Sequence, residues 1–104
     1  MNETKSAQEI YEKLKGEIES ATWEPLENHH KRGALIIVDN ELDLIEVGVQ
    51  IALDDVEMIK SYLKNIKLIQ PSERDIEDIK KDEDLMFQFI IVQPYVLAQK
   101  KVDD

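Results

Sequence analysis

The sequence of 104 residues contains no cysteine, only two histidines and only three glycines. The lack of cysteine excludes disulfide bonds, thiolate nucleophiles and cysteine-ligated zinc sites. No glycine-rich phosphate loop, nucleophile elbow or His-Glu-x-x-His metal motif occurs. The sequence therefore supplies few of the residues that nucleophilic catalytic triads use. It leaves open whether the protein is an enzyme.

Long apolar runs are also missing. Runs such as residues 34–38 and 89–92 are far shorter than the roughly 20 residues that a membrane-spanning helix needs. The first residues are polar and lack the apolar stretch of a secretory signal. We therefore expect no membrane partner and a cytoplasmic location, with which a cysteine-free chain is compatible. No cofactor is predicted.

Basic residues are few, since 13 Lys and Arg stand against 23 Asp and Glu and the formal charge is −10. Such a surface repels phosphate backbones and anionic lipids at long range, so no nucleic-acid partner is predicted. The local exception is a run of four residues that can carry positive charge, His29, His30, Lys31 and Arg32.

The length suits one domain over residues 1–104, with residues 1–5 expected to be disordered and residues 100–104 to form a frayed tail. Helical spacing of apolar residues predicts helices at 5–21 and 24–31. Gly33 is expected to end the second of these helices in a left-handed conformation. A third helix is predicted from a cap at Asp54 to about residue 65, and a fourth follows a cap at Ser72. The third has a predicted buried stripe of Val56, Ile59, Leu63 and Ile66.

Three strands are predicted. Residues 34–38 form an interior strand, and residues 42–51 are interpreted as its hairpin partner, with Gly48 marking a close backbone approach. Residues 85–93 form the last strand, which Pro94 interrupts. The order of elements predicts an α+β domain with a small, mainly antiparallel three-stranded sheet and about four helices on one face.

Such a sheet has one open face, which favours self-association as a homodimer. The predicted interaction surface consists of Leu42, Leu44, Tyr95 and Leu97, because an apolar C-terminal segment has to be buried against something. A second interpretation stays open, in which the segment around Tyr95 packs beneath the first helix and leaves no exposed patch.

Three segments, residues 32–39, 42–52 and 87–97, together resemble a family of small bacterial proteins classed as a domain of unknown function. The resemblance extends from Trp23 to Gln99 and includes the histidine and arginine cluster, Asp54-Asp55 and Pro71-Ser72. It implies a small cytoplasmic bacterial protein and no particular activity.

Two functions remain possible on the sequence alone. The leading hypothesis is a non-enzymatic protein-protein interaction module that self-associates or binds an unidentified protein. The alternative is a small-anion or metal-binding protein, with or without enzymatic activity, in which His29, His30 and Arg32 bind the ligand. Glu27 and His30 have the Glu-x-x-His spacing of some metal sites, although such sites need further ligands.

Overall fold

The structure, a computed structural model, describes residues 6–102. Within this range the chain forms five helices and five strands. In chain order they are α1 (Ala7–Lys15), β1 (Glu19–Ala21), α2 (Trp23–Lys31), β2 (Leu35–Val38), α3 (Leu44–Ala52), α4 (Val56–Lys64), β3 (Leu68–Ile69), α5 (Glu73–Lys80), β4 (Phe87–Val92) and β5 (Tyr95–Lys100). The expectation for residues 1–5 lies outside the described residues, as does that for residues 103–104, and β5 continues to Lys100.

The strands form one sheet in the order β1-β4-β5-β2-β3. Three of its pairings are antiparallel, and β2 with β5 is parallel. The predicted α+β class and mainly antiparallel sheet are therefore confirmed. The predicted number of strands is wrong, because the sheet has five strands and not three. The strands that the prediction missed are β1 and β3, which are very short, and β5, which a turn at Gln93-Pro94 separates from β4.

The segment predicted as a hairpin partner is helix α3. Asp43 caps it, because its carboxylate accepts hydrogen bonds from the backbone N–H groups of Ile45 and Glu46. Five of the nine residues of α3 are buried, so its Val and Ile side chains pack on more than one side and mimic a strand pattern. Tertiary burial thus outweighs the β-propensity of these branched residues.

Helices cover both faces of the sheet, so the predicted one-sided arrangement is wrong. One core cluster joins α1 and α3 to the sheet through residues such as Leu14, Val47 and Ile90. The other joins α2 and α5 to the opposite face through residues such as Leu26 and Phe87. The open sheet face on which the homodimer prediction rested is therefore not present in the described fold.

Gly48 lies where α3 meets the sheet. A Cβ atom at this position would lie 2.7 Å from Cδ1 of Ile90 and 2.9 Å from Cδ1 of Leu14. The predicted close approach is confirmed, although it is made by a helix and not by a strand.

Three helices end in the same hydrogen-bonded Schellman motif, which needs a left-handed residue just after the helix. After α2 this residue is Gly33 (φ 74°), after α3 it is Asp54 (φ 57°) and after α4 it is Ile66 (φ 58°). The predicted role of Gly33 is confirmed. Asp54 was predicted to cap α4, but it closes α3, and Asp55 caps α4 by accepting from the N–H of Met58 at 3.2 Å.

The remaining helix boundaries follow from local chemistry. The predicted first helix is too long, because α1 ends at Lys15 and residues 19–21 form an edge strand beside β4. The predicted helix over 24–31 is confirmed within one residue. Ser72 caps α5, and its hydroxyl accepts from the N–H of Asp75 at 3.1 Å.

In the part of the chain that the structure describes, no helix has the length and apolarity to span a membrane.

Candidate apolar groove beside helix α4

An apolar groove of about 780 Å³ lies between α4 and one edge of the sheet. A volume of this order is sufficient for a substantial binding partner. One wall comes from α4 and the end of α3, and the other from β2, β3 and the turn between β4 and β5. The lining residues are Ile36, Ile51, Asp54, Val56, Ile59, Lys60, Leu63, Leu68, Ile69, Gln70, Gln93, Pro94 and Tyr95.

Helix α4 turns an apolar stripe toward this groove. Val56, Ile59 and Leu63 are spaced by three and four residues, which places them on one side of the helix. Even so, Val56 is 44% exposed and Leu63 is 55% exposed. None of the nine residues of α4, all of them described by the structure, is buried. The stripe that the sequence predicted as buried is therefore largely open.

Tyr62 attaches the helix to the rest of the domain. The hydroxyl of Tyr62 donates a hydrogen bond of 2.7 Å to the side-chain carbonyl of Gln50 in α3, and the Tyr62 ring packs against the core. These contacts hold α4 at a distance from the sheet edge and leave the groove between them.

Two further apolar residues flank the helix. Leu53 precedes it and is 40% exposed, and Ile66 follows it and is 72% exposed. Ile66 has a left-handed backbone, which is rare and unfavourable for a β-branched residue. The chain therefore retains a bulky apolar side chain at a position where both solvent exposure and backbone conformation disfavour it.

Charged residues divide between the two ends of this segment. Asp54, Asp55 and Glu57 lie at the N-terminal end of α4, Lys60 lies at its middle and Lys64 lies at its C-terminal end. This arrangement suits the helix dipole. Lys67 pairs with Glu41, and this hydrogen bond raises the pKa of the lysine. The α4 segment thus has an acidic end and a basic end, and of its charged residues Asp54 and Lys60 line the groove.

The histidine and arginine cluster at the end of α2 divides among different partners. A guanidinium nitrogen of Arg32 lies 2.5 Å from Nδ1 of His29, and the ring of His30 packs against Trp23 with a centroid distance of 6.0 Å. Glu27 forms an ion pair of 3.0 Å with Lys80, and this hydrogen bond lowers the pKa of the carboxyl group. Among residues 6–102 no group of three histidine or acidic side chains could hold a metal ion.

A smaller cleft of about 430 Å³ lies beside Trp23, between α2 and the end of α5. The indole N–H of Trp23 is buried, and the Trp23 side chain contributes to the lowered pKa of the neighbouring Glu27 carboxyl group. The surroundings of the indole are mostly acidic, with Glu24, Glu27 and Glu83 among the lining residues. These carboxylates would favour a cation, whereas the indole donates a hydrogen bond, so the cleft does not point to one ligand.

The family model described as a protein of unknown function, DUF2288, matches residues 9–100. The chain belongs to the DUF2288 family. It is also similar to the solution structure of PA1075 from Pseudomonas aeruginosa, with 30% sequence identity and a TM-score of 0.78 over 99% of this chain and 94% of that chain. No curated protein matches the sequence. The predicted family resemblance is confirmed, and the comparisons indicate no specific activity.

In this DUF2288 protein the four residues predicted as an interaction surface have different positions. Leu44 and Leu97 lie in the core, and Leu42 is half-buried against it. Tyr95 lines the groove and is 38% exposed. The exposed residues that the sequence did not assign to an interaction surface include Val56, Leu63 and Ile66. Their helical spacing was visible in the sequence, but it does not distinguish a buried stripe from an exposed one.

Proposed function

We propose that this DUF2288 protein is a non-enzymatic interaction module that self-associates, and that a second copy of the chain occupies the groove beside α4. The observation that carries this proposal is the open apolar stripe of α4. Burial of such side chains is favourable by roughly 25 cal/mol per Å² of apolar surface. In the monomer described here, about half of that free energy is not gained by Val56 and Leu63, which are 44% and 55% exposed.

The distribution of exposed apolar residues supports the same surface. Single exposed apolar residues are normal, whereas a contiguous patch indicates a contact site. Eight large apolar residues are exposed in the described structure, and five of them lie within residues 53–66. These five are Leu53, Val56, Met58, Leu63 and Ile66. The patch is therefore concentrated on one short segment and continues into the groove.

The charges support a second copy as the occupant. The whole chain is acidic, but the segment around α4 carries acids at one end and lysines at the other. A uniformly basic partner would be repelled at Lys60 and Lys64, and a uniformly acidic one at Asp55 and Glu57. A copy in the reversed orientation presents the opposite charge at both ends.

Sedimentation velocity over a range of protein concentrations tests this proposal. We expect the wild-type chain to sediment as a dimer and Leu63→Asp as a folded monomer, because the substitution introduces a charge into the apolar contact. Ser61→Asp is the matched control, since Ser61 is exposed and does not line the groove. A wild-type chain that sediments as a monomer at every concentration would contradict the proposal.

We also propose that the protein acts in the cytoplasm. The cysteine-free sequence is compatible with a reducing compartment. Fractionation of cells that express the tagged full-length chain tests this, and recovery outside the cytoplasmic fraction would contradict it.

A further inference from the structure

We infer that the two copies meet through antiparallel α4 helices around a two-fold axis that passes near Ile59 and Lys60, with each α4 lying across the groove of the other copy. This inference rests on the proposed self-association and specifies its geometry. Three features carry it, namely the symmetric spacing of apolar residues, the placement of charges and the strained backbone of Ile66.

The exposed apolar residues are arranged symmetrically along the segment. Val56 and Leu63 are equidistant from the point midway between Ile59 and Lys60. Leu53 and Ile66 are equidistant from the same point. A two-fold axis requires that residue i contacts residue j while j contacts i. An axis at this point places Val56 near the partner's Leu63 and Leu53 near the partner's Ile66, so all four side chains are matched with apolar ones.

The charges select the antiparallel orientation. Glu57 and Lys64 are seven residues apart, which is close to two helical turns, so they lie on the same side of α4. In an antiparallel pair about this axis each Lys64 is level with the partner's Asp55 and only about 3 Å along the helix from the partner's Glu57, and these contacts occur twice. A parallel pair in register would separate Glu57 from the partner's Lys64 by about 10 Å along the helix axis, so this attraction would be lost. Within the described residues neither side chain has an ion pair of its own.

Ile66 supplies an observation that does not depend on charge. The Schellman motif that ends α4 needs a left-handed residue, and Gly or Asn normally occupies that position. The chain instead has an isoleucine that is 72% exposed. In the inferred arrangement this side chain is buried against the partner's Leu53, which offsets the unfavourable backbone and exposure of the single copy.

Charge-reversal variants of the full chain test the arrangement. Glu57→Lys and Lys64→Glu, each alone, convert both contacts to repulsive ones, so we expect the dimer affinity to fall about tenfold. An equimolar mixture of the two variants restores attraction at both contacts, because one chain then carries two lysines and the other two glutamates. We therefore expect heterodimers to predominate in native mass spectra of the mixture.

Glu83→Lys is the matched control, because it makes the same charge change at an exposed residue outside the α4 segment. We expect it to leave the dimer affinity within about twofold of wild type. Raising the salt concentration should also reduce the difference between each reversal variant and wild type.

The possible failures are distinguishable. If the wild type is a dimer but the single reversals do not weaken it, or the mixture forms no excess of heterodimer, the antiparallel geometry is wrong while self-association stands. If the wild type and Leu63→Asp are both monomers at every concentration, the proposed function itself is wrong.

Discussion

Helices α3 and α4 follow one another in the chain and share the same local design, but they differ in what they bury. Each has nine residues, begins after an aspartate cap and ends in a Schellman motif. Five residues of α3 are buried, whereas none of α4 is. The comparison shows that the local signals that start and stop a helix are independent of whether its apolar side finds a partner within the monomer.

The difference lies in how the two helices contact the sheet. Gly48 lets α3 approach Ile90 and Leu14 closely, whereas α4 is attached through Tyr62 and remains apart from the sheet edge. We therefore expect α3 to contribute mainly to the stability of the monomer and α4 mainly to self-association.

The largest expected effect is that of a truncation in α3. Leu44 is 2% exposed, so Leu44→Ala should lower the free energy of unfolding by about 2–5 kcal/mol through lost burial and a residual cavity. Urea denaturation followed by circular dichroism measures this change.

Leu63→Ala removes the same atoms from α4 and is the matched control. At protein concentrations where the chain is a monomer, we expect it to change the free energy of unfolding by no more than about 0.5 kcal/mol. Equal losses for the two variants would show that the helices do not differ as proposed.

The second effect concerns the end of α4. Ile66→Gly removes a β-branched residue from a left-handed position, so we expect the monomer to become more stable by about 1 kcal/mol. The same change removes an apolar contact and should weaken the dimer. Thermal unfolding of dilute protein measures the expected gain in monomer stability. Sedimentation velocity measures the expected loss of dimer affinity.

Ile66→Val is the control for this position, because it keeps both the β-branch and the left-handed backbone. We expect it to change monomer stability much less than Ile66→Gly does. A less stable monomer for Ile66→Gly would indicate that the isoleucine is held by contacts within the chain.

A third effect uses the contact between α1 and the cap of α3. The hydroxyl of Tyr11 donates a hydrogen bond of 2.9 Å to Asp43, and this bond raises the pKa of the tyrosine above its usual value of 10.0. The raised pKa favours the folded state fully below pH 10, and this contribution is lost as the pH rises through the folded-state pKa.

Unfolding curves between pH 8 and pH 12 test this linkage. We expect wild type to lose more stability over this range than Tyr11→Phe, which cannot titrate at this position. Parallel losses in the two proteins would show that the bond to Asp43 does not persist in solution.

The smallest effect is expected at Lys60. This residue lies next to the inferred two-fold axis, where the lysines of the two copies are close to each other. Lys60→Met keeps a long side chain and removes this like-charge repulsion, so we expect the dimer to tighten by a few-fold. Lys81→Met, at an exposed lysine of the α5 end, is the matched control and should have no such effect. A weaker dimer for Lys60→Met would argue against an axis at this position.

Local sequence signals correctly predicted several elements. The cap at Ser72, the helix over 24–31 and the left-handed Gly33 all depend on residues close in the chain, so their conformations follow from local hydrogen bonding and sterics. The family resemblance rested on the same local patterns and is confirmed.

What the sequence alone determined about this protein was its α+β class, most of its helix ends and its family. The tertiary structure alone decided that residues 44–52 form a helix, that helices cover both faces of the sheet and that Leu44 and Leu97 are core residues. It alone also decided that the α4 stripe is open. The reason is that helical spacing shows which side chains share a face, whereas burial depends on contacts between residues far apart in the chain.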